Sequence, residues 1–270
     1  MINKNRVGII LATTMLTGGA LFSSNLTTPV AAQGITEKIS NQPSNYIESD
    51  PQFSRAQSIV VNSSFNKGND GWIGGFADYP VEDEAIYYLK FSNKYLPKEI
   101  NDKKNGLFIS GVNRSDDLFM FTKKKLDKKV KLKPNTTYSL NFDFDIATNA
   151  NKNEFGVGGA PGEAVHVKVG ATTKEPLPQL DNLGYYRMNI DKGNQAIEGK
   201  DAFNVGNLAK VSDSNNEKYE LKSFDNKKRP FVVKTDKRAE LWLFIGTDSG
   251  FESKTSIYIP RIKITLNEIK

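Results

Sequence analysis

The stretch from Tyr138 to Ile146 constrains this chain most. Tyr138, Leu140, Phe142, Phe144 and Ile146 alternate with Ser139, Asn141, Asp143 and Asp145. Side chains on a strand point to opposite faces with period two, whereas a helix would scatter the same five apolar residues around its axis. The segment predicts a strand with one face in a core and the other in water, and Pro134-Asn135 supplies the turn before it. Ala164–Gly170 repeats the pattern, with Val165, Val167 and Val169 inward and His166 and Lys168 outward, and Ile86–Phe91 reads as a strand carrying Tyr87, Leu89 and Phe91 on one face. The runs Ile59–Val61, Leu107–Ile109, Leu118–Phe121, Phe231–Val233 and Leu241–Ile245 are apolar throughout and read as central strands. In the last segment the parity switches from Ile257 and Ile259 to Ile262, Ile264 and Leu266. Pro260, which cannot donate to a ladder, sits at the switch and predicts a bulge or bend. Gly, Asn, Asp and Lys fill the gaps between the runs, as antiparallel connections require. The pattern predicts an all-β fold: a two-sheet antiparallel β-sandwich of roughly ten strands, a jelly roll. Thr148–Glu163 and Asp191–Lys218 break the rhythm, the second with one short helix expected near Phe203–Ala209. Loops of that length are often functional.

The N-terminus has a different grammar. Lys4 and Arg6 precede an apolar stretch from Val7 to Phe22, and Val30-Ala31-Ala32 offers small residues at a cleavage position. That layout is expected of a secretory signal peptide over residues 1–32, with an uncleaved anchor as the alternative. Residues 33–56, polar and without periodicity, read as a flexible leader or linker, and residues 57–270 as a single β-sandwich domain. Lys4 and Arg6 are the only charges before residue 33, so the formal charge falls from +6 to +4 once they are removed. A surplus this small argues against nucleic acid and is compatible with anionic wall polymers or a membrane surface. No membrane span is expected after cleavage. Lys123-Lys124-Lys125 reads as a solvated basic turn. The chain has no cysteine, which excludes disulfides, thiol chemistry, Cys-ligated metal and lipidation at an N-terminal cysteine. The expected setting is secreted or extracellular, with cell-surface association an option.

The folded part opens with Val61-Asn62-Ser63-Ser64-Phe65-Asn66-Lys67-Gly68 and then Gly71-Trp72. It closes with Ser256-Ile257-Tyr258-Ile259 and Arg261-Ile262-Lys263-Ile264. These two ends resemble the jelly-roll carbohydrate-binding modules and galactose-binding-like domains. The resemblance implies a β-sandwich and a sugar ligand. Pro260 stands where that family usually has an Asp, which puts a structural calcium of the family type in doubt. The middle, Gly156–Glu163 and Arg187–Asn194, is similar to exported bacterial proteins of no established function.

Catalytic constellations are poor. Asp143 and Asp145, alternate residues on one strand, lie about 7 Å apart, inside the carboxylate separation of inverting glycosidases. They stand side by side, however, instead of flanking a substrate. They read as solvated carboxylates, as a salt-bridged row with Asn141 partnered by Lys168 or Arg114, or as oxygen ligands for calcium. His166 is the only histidine and lacks a Gly-x-Ser-x-Gly elbow. The glycines from Gly156 to Gly162 have no following Lys-Ser/Thr, and Pro161 breaks the helix that a nucleotide would need. Asn149, Asn151, Asn153 and Glu154 add loop oxygens without EF-hand spacing. Aromatic rings stack on the C–H faces of sugars while Asn, Asp and Arg bond the hydroxyls. The candidate ligand set is Trp72, Tyr79, Tyr88, Asn113, Arg114, Asp116, Asn141, Asp143, Tyr185 and Tyr186, with Tyr258 as a further ring. Core filling is the competing reading for each ring. The expectation is a secreted, non-catalytic protein binding carbohydrate or cell-wall glycan, with no cofactor unless calcium. The alternatives are an adhesion or structural protein binding a protein partner, and a polysaccharide hydrolase or lyase.

Overall fold

The structure, a computed structural model, describes residues 58–115, 117–126 and 128–269; the predicted signal peptide and linker lie outside them. In chain order the strands are β1 (Ile59–Ser64), β2 (Ile73–Ala77), β3 (Tyr79–Pro80), β4 (Lys90–Tyr95), β5 (Asn105–Val112), β6 (Leu118–Lys125), β7 (Thr137–Thr148) and β8 (Val165–Thr172). There follow β9 (Pro178–Leu180), β10 (Tyr185–Met188), β11 (Gly193–Asn194), β12 (Ile197–Glu198), β13 (Ala202–Asn207), β14 (Glu220–Asp225), β15 (Phe231–Lys234), β16 (Trp242–Ser249) and β17 (Lys254–Glu268).

The larger sheet runs β14-β7-β17-β5-β4, with β1 also on β17 and β15 also on β7. The smaller runs β13-β8-β16-β6-β2. Every named pairing is antiparallel. The chain passes between sheets from β1 to β2, β5 to β6, β6 to β7, β7 to β8, β13 to β14, β15 to β16 and β16 to β17, which makes the two-sheet sandwich a jelly roll. The core lies between the sheets: Leu140, Phe142, Phe144 and Ile146 of β7 face Val165, Val167 and Val169 of β8 and Leu243 and Ile245 of β16 within one apolar cluster.

β17 is the keystone. It pairs with β1 and β7, and with β5, and its register against β7 shifts between Tyr258 and Arg261. The extra residue at Pro260 lets Ile257 and Ile259 before it, and Ile262, Ile264 and Leu266 after it, all stay buried.

Four expectations need correction. Ile59–Val61 and Phe231–Val233, read as central, lie in β1 and β15, which pair on one side only and leave Val60 and Val232 exposed. The segment Ile86–Phe91 is not one strand: a 3-10 turn runs from Val81 to Tyr87, Tyr88 takes φ 48°, and β4 starts at Lys90. The left-handed step at Tyr88 reverses the facing, so Tyr87 is buried and Tyr88 exposed. Residues 203–207, where a helix was expected, belong to strand β13. Its register against β8 shifts between Asn204 and Gly206, and Gly206 takes φ 136°, so the bulge erased the period-two signal. Lys123-Lys124-Lys125 is not a turn but the end of β6, opposite Trp242, Leu243 and Phe244 of β16, and Lys123 is buried against Glu175 and the Pro176 carbonyl.

The sheets differ in what covers them. Residues 173–201 leave β8 and run over the outer face of the smaller sheet, where β3, β10 and β9 form a three-stranded sheet and β11 and β12 a hairpin. Ile190 and Met188 of this excursion pack with Ala77, Phe119, Phe121, Ala202 and Phe244 in a second apolar cluster. On the outer face of the larger sheet Lys90, Lys94, Arg261 and Lys263 remain exposed.

Candidate functional site

On that open face the alternation of β5 and β17 presents Phe108 and Ser110 beside Tyr258 and Ser256. The two serine hydroxyls are 2.7 Å apart. The rings of Phe108 and Tyr258 are 4.9 Å apart, and Tyr219 stands edge-on to Tyr258 at 5.4 Å. The Tyr219 backbone N–H donates to Glu99 at 2.7 Å, and its hydroxyl donates to the Ser256 carbonyl at 3.5 Å. Burial, then the neighbouring Tyr258 and Glu99, push the Tyr219 phenol up to about 12. Lys94 Nζ lies 4.1 Å from the Phe108 ring centre, so Tyr258 and Tyr219 are the partly exposed rings of the row.

At the Ser256 end the face runs into a cleft of about 310 Å³, lined by Asn149, Glu154, Phe155, Phe251, Glu217, Lys254 and Ser256 among others. That is the size of a small-ligand pocket. The cleft is built by the two long loops that break the strand rhythm, 149–164 and 208–219. The buried ammonium of Lys210 fastens them, donating to Asn151 Oδ1 at 2.8 Å and to Asn216 Oδ1 at 3.2 Å. Asn151 Nδ2 in turn donates to Glu154 Oε1 and Asn215 Oδ1. The oxygen-rich loop read as a calcium candidate is therefore organised around an ammonium. Phe155 is fully exposed at its tip.

The predicted ligand residues scatter. Trp72 is 1% exposed and donates from Nε1 to Ser63 Oγ at 2.9 Å, so it is a core residue. Tyr79 is also buried. Its ring lies 5.4 Å from Tyr87 and 5.2 Å from Tyr186. Tyr185 and Tyr186 sit on β10 against β3 and are half-buried. Tyr88 is exposed and stands apart from the cleft lining. Asn113 is buried and structural: its side chain donates to the Ser249 carbonyl and accepts from the Ser115 amide. Arg114 donates to the Ile86 carbonyl. Asp116 lies outside the described residues. Asn141, Asp143 and Asp145 share the open face as expected, but their partner is neither Lys168 nor Arg114. Lys168 is on the other sheet. Arg261, opposite Asp145 on β17, donates to Asp145 at 2.5 Å and to Asp143 Oδ1 at 2.7 Å. Lys227 adds a second contact to Asp143 at 3.2 Å. Burial works against the Asp143 carboxylate, yet Arg261 and Lys227 hold it below the usual range. A guanidinium thus bridges the two carboxylates.

A charged cluster absent from the predicted set lies under the excursion on the smaller sheet. One carboxylate oxygen each of Asp78, Asp117 and Asp248 lies within 4.8 Å of the others. Lys192 Nζ reaches Asp78 at 2.9 Å and Asp248 at 2.8 Å. Lys168 reaches Asp248 at 3.1 Å, and Arg187 reaches Asp78 at 3.1 Å and Asp117 at 3.4 Å. Lys168 and Asp248 have no exposed side-chain surface. Three distant segments supply the carboxylates, so no spacing motif could have announced them. The one trace in sequence is the charged Lys168 and Asp248, each within a mostly apolar strand.

The sequence matches no protein-family model and no curated protein. Among solved structures, the chain is similar to a carbohydrate-binding module studied for mannan recognition, TmCBM27, with 11% identity and TM-score 0.36 over 78% of this chain and 98% of that one. It is similar to the family 11 carbohydrate-binding module of the cellulase Lic26A-Cel5E of Clostridium thermocellum, with 12% identity and TM-score 0.34 over 78% and 96%. The K1 cleaved adhesin domain of Lys-gingipain from Porphyromonas gingivalis W83 gives 15% identity and TM-score 0.34 over 76% and 96%. At these scores it is the strand pairing of this chain, and not the likeness, that carries the sandwich.

Proposed function

We propose that this chain is an exported, non-catalytic glycan-binding protein, and that its saccharide lies along the open face from Tyr258 and Tyr219 into the cleft beside Phe155 and Phe251. The observation that supports this reading is the continuity of partly exposed rings with a cleft whose lining alternates aromatic and hydrogen-bonding groups. Rings take the C–H faces of a sugar, and Asn149, Glu217 and Ser256 offer partners for its hydroxyls. The N-terminal signal-like segment supports an extracellular setting. Among the described residues no helix is long and apolar enough to cross a membrane.

The test is retention on a panel of insoluble and soluble polysaccharides, including cell-wall preparations. Tyr258→Ala and Phe155→Ala are expected to weaken binding at least tenfold while leaving the melting temperature of Phe155→Ala unchanged. A panel without a binder, or binding indifferent to both substitutions, would sink the reading.

A further inference from the structure

Three carboxylate oxygens of the charged cluster under the excursion are buried without a hydrogen-bond partner: Asp78 Oδ2, which the Lys192 ammonium compensates at 2.9 Å, and one oxygen each of Asp117 and Asp248. Asp117 Oδ1 and Asp248 Oδ1 are both buried and have no hydrogen-bond partner, although the two carboxylates belong to one group of converging oxygens. Leaving two acceptors of like charge buried together is costly, and a single proton between them removes both problems. We propose that Asp117 and Asp248 share one proton in the folded protein, and that this proton helps to hold residues 173–201 against the smaller sheet, so that docking of the excursion depends on pH.

The surroundings say which carboxyl carries the proton. Asp248, on β16, has the ammonium groups of Lys168 from β8 and Lys192 from the segment after β10, and its Oδ2 also accepts from the Gln195 amide. Asp78, between β2 and β3, has Lys192 and Arg187. Asp117, just before β6, has only the Arg187 contact at 3.4 Å, and Arg187 is shared with Asp78 and, at 3.8 Å, with Asp181 of the turn before β10. Asp117 is therefore the least compensated of the three. Burial, then Asp78, raise its carboxyl to about 7, with Lys192 opposing and Asp248 adding to the rise. The remaining ionisable groups nearby are Asp191, which lines a shallow cleft together with Asp78, Asp117 and Lys192 and accepts from the Gly193 and Lys200 amides, and His166 beside Asp248. The His166 imidazole is held down by burial, with Asp248 opposing.

A divalent cation would answer the same oxygens less well. The Lys192 ammonium already bridges Asp78 and Asp248, and three cationic side chains surround the group.

The sign follows from linkage. The Asp117 carboxyl is raised to about 7 in the folded protein from 3.8 for an ordinary aspartate, so the closed form binds the proton more tightly than the open one. The contribution is full below about 4 and declines as pH rises towards 7. Over that window the equilibrium constant for opening grows by up to about tenfold per pH unit, then levels off.

Two measurements on the full chain test this. Aspartate-selective carbon NMR should show one carboxyl titrating near pH 7, absent from Asp117→Asn. Hydrogen exchange of Tyr185–Lys192, corrected for intrinsic chemistry, should report an opening constant at least tenfold larger at pH 7 than at pH 5. In Asp117→Asn, which keeps a donor toward Asp248 but cannot ionise, the change should stay within twofold. The NMR titration stands by itself if that variant folds poorly. The proposal fails if every aspartate titrates below about 5, in the ordinary carboxylate range, or if the variant shows the same pH dependence as the native chain.

Discussion

Trp72 and Tyr258 show how the same kind of side chain divides between support and contact. Trp72 lies in the main core with its indole N–H satisfied by Ser63, so truncation leaves a cavity and removes the closer of two donors to that hydroxyl, the other being Lys124 at 3.4 Å. Trp72→Ala should destabilise the protein by roughly 3–5 kcal/mol, as large aromatic truncations in cores do, which chemical denaturation would measure. Any glycan binding that survives at low temperature should be near normal. Tyr258 lies on the open face, half-buried, and its loss should spare stability relative to Trp72 and act on binding. Arg261 is a third kind of residue. It donates to both Asp143 and Asp145, but its side chain is 44% exposed, and exposed ion pairs of this sort contribute little. Its value is in fixing which way the carboxylates of the open face point.

At the scale of elements, the loops that form the cleft depend on one buried lysine. Lys210 is 1% exposed, and its three hydrogen-bond acceptors come from Asn151 in the first loop and Asn216 in the second. Lys210→Met keeps the volume and removes the donor, leaving the Asn216 carbonyl unpaired and the Asn151 and Asn216 side-chain oxygens with only their backbone donors, the Asn216 and Lys218 amides. The expected result is faster proteolysis within 149–164 and 208–219 and weaker glycan retention, while β7 and β8 keep their exchange protection. Equal proteolysis rates in variant and native chain would contradict it. The same scale explains what could be read from residues alone. β7 was legible because one of its faces meets the core and the other meets water, and the bulge in β17 because Pro260 marks the change of parity. β13 was not, since Gly206 interrupts the alternation. Nor was the excursion, whose strands are two to four residues long and too short to show a period. Lys168 illustrates the limit. Its parity correctly placed it on the outer face of β8, but alternation tells which way a side chain points and not what will later cover that face. The charged cluster and the cleft both come from such coverage.

For the whole molecule, the first and last strands determine whether there is a fold at all. β1 pairs with β17 from Ile59 opposite Leu266 to Ser64 opposite Arg261, and the same half of β17 pairs with β7 on its other side. Ending the chain after Pro260 would remove the strand between them and expose the inward residues of both. Such a truncation should fail to fold, seen as loss of the far-UV β signal and of a cooperative melt; a cooperative transition in the truncated chain would show that β1 and β7 find another partner. Because pairing joins the two ends of the described chain, folding should also be slow for its size.

Among the described residues four lysines, Lys123, Lys168, Lys192 and Lys210, are buried, and each ties segments together by hydrogen bonds or ion pairs. A chain without cysteine has in them cross-links that travel inside its own sequence. They form without an oxidant, and no reducing agent can undo them. Their weakness lies elsewhere: acylation of these amines before folding would erase the links, whereas the folded protein keeps them out of a reagent's reach.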